Sequence, residues 1–130
     1  MSSKDIAHNV GVVQVVVPQV LAATDTSAAI DTAGFESAAL IVETGAIVGA
    51  GDFTAKLQNS DTTTSGDFVD VTAANLIGTF PASLAASSVV KVGYIGNKRY
   101  LRSVITKNSG TSIAAGAVLV KGHPRSAPVA

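Results

Sequence analysis

The residues best placed to act on another molecule are Tyr94, Lys98, Arg99, Tyr100 and Arg102. Two rings and three cations this close suit stacking of guanidinium on aromatic faces and contact with a partner, because Arg and Tyr concentrate at interface hot spots. The same residues equally suit a cross-strand pair on a solvated face. Lys121, His123 and Arg125 form a second basic group near the C-terminal end and complete the candidate protein interface.

Catalytic patterns are weaker. The stretch GAIVGAGD (45–52) has the look of a phosphate loop, but the third glycine of a dinucleotide fingerprint would fall at Thr54 and no Gly-Lys-Ser/Thr follows. His8 and His123 lie in polar terminal segments without fixed surroundings that would tune a base or hold a metal. Asp61, Asp67 and Asp70 could approach one cation, yet their spacing is not that of an EF-hand, and Asp in exposed loops serves mainly as a turn former. Asp31 with Glu36, or Asp67 with Asp70, could be a glycosidase-like pair, although nine acids supply such neighbours by chance. No Gly-x-Ser-x-Gly elbow is present. The sequence therefore predicts a protein that is not an enzyme and carries no metal or cofactor.

The elements that must position the candidate residues are strands. Of 130 residues, 47% are hydrophobic and only 5% aromatic, with Ala and Val dominant, so the core must be built from small, largely β-branched side chains. Strand signals run over Val10–Val17 and Val20–Ala23, with Pro18 demanding a bend or an edge. Residues 24–34 read as a short strand followed by a turn at Gly34, and further strands are expected at Phe35–Thr44 and Phe53–Gln58. Ala38–Val42 is unbroken by polar residues, as in a central strand covered on both faces. Residues 59–67 contain no apolar side chain and should form an exposed loop before a short strand at Phe68–Val71. Residues 73–88 read as an irregular connection.

Residues 88–96 and 98–107 flank Gly96-Asn97 and predict a hairpin with Tyr94 opposite Arg99 and Gly93 opposite Tyr100. A last strand is expected at 111–122. The predicted organisation is an N-terminal arm over 1–9, an all-β antiparallel sandwich or jelly roll over 10–122, and a C-terminal arm over 123–130.

Charge is scarce, at 14% of residues, and segregated. All nine acids precede residue 71, where only Lys4 and Lys56 oppose them; Lys91, Lys98, Arg99, Arg102, Lys107, Lys121 and Arg125 follow with no acid. Strands from the two halves can neutralise each other, or the asymmetry can orient the molecule on a charged partner. Zero formal net charge and few aromatics argue against nucleic acid. The apolar stretch 10–23 is broken by Gln14, Pro18 and Gln19, so no membrane span is expected. Without cysteine, a disulfide scaffold, a Cys-ligated zinc and a thiol nucleophile are excluded.

The segments VVVPQVLAATDTSAAIDTAGFESAALIVETG, KLQNSDTTTSGDFVDV, VGYIGNKRYLRSVIT and VLVKGHPRSAP resemble small proteins encoded beside the capsid genes of tailed bacteriophages and prophages. The resemblance covers nearly the whole chain. It implies a capsid cement, or decoration, protein that binds the outer surface of the assembled head and bridges neighbouring major capsid proteins. A homodimer or homotrimer on a capsid symmetry axis would follow, made in the bacterial host cytoplasm and carried on the virion. The resemblance leaves open another virion role, in head completion or the tail. KLQNSDTTTSGDFVDV and KRYLRSVIT also resemble the galactose-binding-like sandwich of carbohydrate-binding modules, in which an Arg-Tyr strand lies in the core.

Overall fold

The computed structural model describes residues 4–125. Ten strands form two antiparallel sheets that pack as a sandwich. They are β1 (Gly11–Leu21), β2 (Asp25–Thr26), β3 (Ile30–Asp31), β4 (Phe35–Val48), β5 (Asp52–Ser60), β6 (Val69–Asp70), β7 (Leu76–Ile77), β8 (Val89–Tyr94), β9 (Tyr100–Ser109) and β10 (Ser112–Pro124). The first sheet has the order β1-β10-β4-β8-β7. The second has the order β2-β9-β5-β6, with β3 also on β9. Two single turns of 3-10 helix, Ser65–Asp67 and Ala73–Asn75, are the only helical pieces among the described residues. No helix there is long and apolar enough to cross a membrane.

Side-chain alternation decides what each strand buries. In β4, Ala38, Leu40, Val42 and Thr44 point inward, joined by Val92 and Tyr94 from β8 and by Ile113, Ala115, Ala117 and Leu119 from β10. Facing them from the second sheet are Phe53, Ala55 and Leu57 of β5 with Leu101 and Ile105 of β9. Phe53 is the one fully buried aromatic among the described residues, and Leu84 from the 78–88 connection lies against the core with its N–H on the Phe53 carbonyl. β4 lies between β10 and β8, in the central place its apolar run predicts. β1 is an edge strand, and the ladder slips between Gln14 and Gln19, beside Pro18, which can donate nothing to it.

The two outward faces differ. The second sheet presents Thr54, Lys56 and Gln58 from β5 beside Tyr100, Arg102 and Thr106 from β9, a polar surface, while Ser60 and Val104 of the same rows are buried. The first presents mainly Val, Ile, Ala and Gly.

At one tip, the turns after β4 and β9 interlock. A Cβ on Gly110, whose φ is +79°, would lie 2.3 Å from the Ala50 carbonyl oxygen, and one on Gly49 would meet the Thr111 side chain. Both positions therefore need glycine.

The structure corrects several sequence expectations. Residues 88–107 do not form a hairpin: β8 belongs to the first sheet and β9 to the second, so 95–99 cross between them. The loop expected from residue 59 starts later, because Asn59 and Ser60 end β5 and are buried. β10 runs to Pro124, past the arm boundary expected after Gly122, and residues 126–130 of that arm lie outside the described residues. Residues 5–9 of the N-terminal arm are a hydrogen-bonded turn, with Asp5 accepting from the His8 N–H and Asn9 N–H donating to the Ile6 carbonyl. Met1–Ser3 lie outside the described residues.

Because Phe53 is fully buried in a core otherwise mostly of aliphatic side chains, Phe53→Ala should cost about 3–5 kcal/mol of unfolding free energy. Urea unfolding measures this, and a loss below about 1 kcal/mol would contradict the packing described.

Candidate protein interface

The candidate residues separate into three environments. Tyr94 is a core residue, 5% exposed at the end of β8. Its hydroxyl oxygen accepts hydrogen bonds from Asn59 Nδ2 and from the Lys98 backbone N–H, each at 3.0 Å. The chain folds back over this ring so closely that a Cβ on Gly96 would lie 2.5 Å from the hydroxyl oxygen. The Gly-Asn pair thus serves a sheet-to-sheet crossing, a use that shares its composition with a two-residue hairpin turn.

Lys98, Arg99 and Arg125 surround a cleft of about 390 Å³ at one end of the sandwich, walled by the β3–β4 turn and by residues 94–99. Each is paired to an acid from the first half of the chain. Arg99 holds Asp31 in a two-pronged contact, Nε to Oδ1 at 2.8 Å and Nη2 to Oδ2 at 2.7 Å. Lys98 Nζ lies 2.7 Å from Asp61 Oδ2, and Arg125 Nε donates to Glu36 Oε1. Lys121 sits beside this group, with Nζ 4.7 Å from the Phe35 ring centre and 3.4 Å from the Asp31 carbonyl oxygen. His123, at φ +51°, places Nδ1 2.8 Å from Ser37 Oγ.

Tyr100 and Arg102 lie elsewhere, on the polar outward face of the second sheet. Arg102 donates to Gln58 Oε1 at 2.7 Å and Ser65 Oγ at 2.9 Å, and its guanidinium covers the Phe68 ring at 4.4 Å. Arg99 lies 5.2 Å from the Tyr100 ring centre, so the expected ring-guanidinium contact joins sequence neighbours and does not involve Tyr94. β9, the strand that follows Arg99, lies inside the second sheet, with the Arg99 side chain exposed and paired to Asp31.

The acids considered for chemistry are dispersed. Asp61 pairs with Lys98, Asp67 accepts from the Thr62 hydroxyl, and Asp70 binds Gln58 and Lys56. Among the described residues no three His, Asp or Glu side chains gather as metal ligands. Ion pairs exposed to this degree contribute little to stability, so their effect is mainly to cancel charge. The Asp31 pair is the best ordered: hydrogen bonds from Arg99, then the Ala33 backbone N–H, lower the carboxyl pKa to about 2.

No protein-family model matches the chain, and no curated protein matches it. Three solved structures are similar in outline. The SPBc2 prophage-derived protein YomS is 11% identical, with TM-score 0.47 over 85% of this chain and 94% of its own. PirA is 14% identical, with TM-score 0.41 over 94% of this chain and 100% of its own. A chain of infectious bursal disease virus, Gx strain, is 14% identical, with TM-score 0.43 over 88% of this chain and 32% of its own. Similarity this distant does not choose among roles.

The Asp31 carboxylate should titrate with a midpoint near 2 and move up towards the ordinary carboxylate value in Arg99→Ala, followed by carboxyl NMR. Because the folded-state value is depressed, the pair's stabilisation is complete above the unfolded value near 3.9 and is lost as pH falls through about 2. An Asp31 midpoint unchanged in Arg99→Ala would refute the assigned cause.

Proposed function

We propose that this chain is a structural virion protein, a capsid cement protein that binds the outside of an assembled phage head and bridges neighbouring major capsid proteins. The observation supporting this reading is the gathering of both ends of the sandwich at the charged cleft. Gly11, where β1 begins, pairs with Lys121, and Pro124, where β10 ends, pairs with Phe35. The Arg125 N–H then bonds the Gly34 carbonyl at 2.8 Å. The start of β1 and the end of β10 therefore lie beside the Lys98, Arg99 and Arg125 pairs.

Such an end suits attachment across a seam between protein subunits. Terminal segments can follow a partner's surface, and exposed ion pairs can exchange one partner for another with little net cost. Stabilisation would be mass action: a protein that binds the assembled lattice better than its parts shifts the balance towards the lattice, and many copies make the shift collective.

Purified protein added to capsids that lack it should co-sediment saturably and raise their rupture temperature. Reversing Arg99 and Arg125 to Glu together should weaken attachment about tenfold at low salt and less at high salt. Truncation after Arg125, which leaves β10 whole, should also weaken attachment with circular dichroism unchanged. Absence of binding by the intact chain would overturn the cement reading.

A further inference from the structure

We propose that the outward face of the first sheet is a contact between two copies of this chain. The inference rests on the face itself and is independent of the capsid reading. A sandwich sheet with one face in water alternates apolar inward with polar outward, as the second sheet does. The first sheet does not. Across β1, β10, β4 and β8 its outward rows read Val12, Val120, Ala39, Gly93, then Gln14, Val118, Ile41, Lys91, then Gly116, Glu43, Val89. Val12, Val20 and Val89 are 62–65% exposed, and an apolar-lined depression of about 400 Å³ lies where Pro18 arches over Gly116. The Ala38–Val42 run has the composition of a strand covered on both faces, and the described residues pack over only one of them.

Charge names the occupant. Glu43 and Lys91 are the only charged side chains in those rows, one of each sign, and neither has an ion-pair partner among the described residues. They sit diagonally, Glu43 opposite Val89 and Ile41 opposite Lys91. A largely apolar surface whose only two charges are one acid and one base is complementary to itself. A twofold axis in the plane between two such faces, perpendicular to the line from Glu43 to Lys91, sets each Glu43 against the other copy's Lys91. The same axis runs close to the Ile41–Val89 diagonal, so each of these two meets its own copy, as an isologous contact requires. With strands about 4.8 Å apart and alternate residues about 6.7 Å apart, the two sheets cross at about 70°, nearer the orthogonal than the aligned way of stacking sheets. Pairing through the β1 edge is the less suitable route, because Pro18 and the slipped ladder blunt that edge.

Sedimentation equilibrium of the intact chain tests this. The wild type should sediment at twice the 13.0 kDa of one chain. Glu43→Lys alone and Lys91→Glu alone each put like charges together and should weaken the dimer about tenfold or more, whereas Glu43→Lys with Lys91→Glu should restore it to within about threefold. Thermal unfolding at one fixed pH checks that each variant folds. A wild type that stays monomeric at about 100 μM, where even weak specific pairs form, overturns the proposal. So does a dimer indifferent to the single reversals, which would place the contact elsewhere. A monomer whose binding to capsids is lost in Lys91→Glu would assign the face to a capsid subunit and refute a second copy.

Discussion

Everything in this sandwich depends on burying the inner face of β4. Leu40 and Val42 are fully enclosed, and the strand carrying them pairs with β10 on one side and β8 on the other. Successive strands mostly alternate between the sheets, β1 to β2, β3 to β4, β4 to β5, β6 to β7, β8 to β9 and β9 to β10. Local hairpins therefore contribute little, and neither sheet can complete its hydrogen bonding until distant segments arrive. Face-to-face burial must hold the sheets together. With Ala38, Ala55, Ala115 and Ala117 in the buried layer, much of that burial falls on Phe53 and the few Leu and Ile residues.

That constraint explains which parts of the fold are legible in the sequence. Strand existence follows from Val-rich alternation, the edge character of β1 follows from Pro18, and the central place of β4 follows from Ala38–Val42. Strand partnership does not follow, because it is set by which inner faces meet. Gly96-Asn97 is compatible with a tight hairpin and with a crossing. What decides is Tyr94, whose hydroxyl takes hydrogen bonds from Asn59 of the opposite sheet and from the Lys98 backbone. A buried ring that needs a partner for its hydroxyl is a tertiary fact. Asn59 and Ser60 mislead for the same reason, being polar in type yet buried at the end of β5.

The candidate interface was legible in composition and not in place. Segregation of acids and bases along the chain becomes pairing in space: Asp31 with Arg99, Glu36 with Arg125 and Asp61 with Lys98 each join the two halves. Three cations of the expected interface, Lys98, Arg99 and Arg125, line the cleft, each paired to an acid, while Tyr94 lies in the core and Arg102 lies on another face. The cleft is consequently a mixed-charge rim. Such a rim favours orientation and selectivity over raw affinity.

Sheet packing and charge together divide the surface into three. The outward face of the second sheet is largely polar and suited to water, the cleft end carries the start of β1, the end of β10 and the Lys98, Arg99 and Arg125 pairs, and the outward face of the first sheet is dry apart from Gln14, Glu43 and Lys91. If two copies stack through their dry faces at a steep crossing angle, their cleft ends cannot lie side by side. Each is carried away from the other with the direction of its own strands. A pair built in this way would present two separated cleft ends related by a twofold, where one sandwich presents a single charged end. The small, uncharged residues of β4 and β10 would then serve twice, inward as core and outward as contact, which accounts for a chain with so little charge and so few aromatic rings.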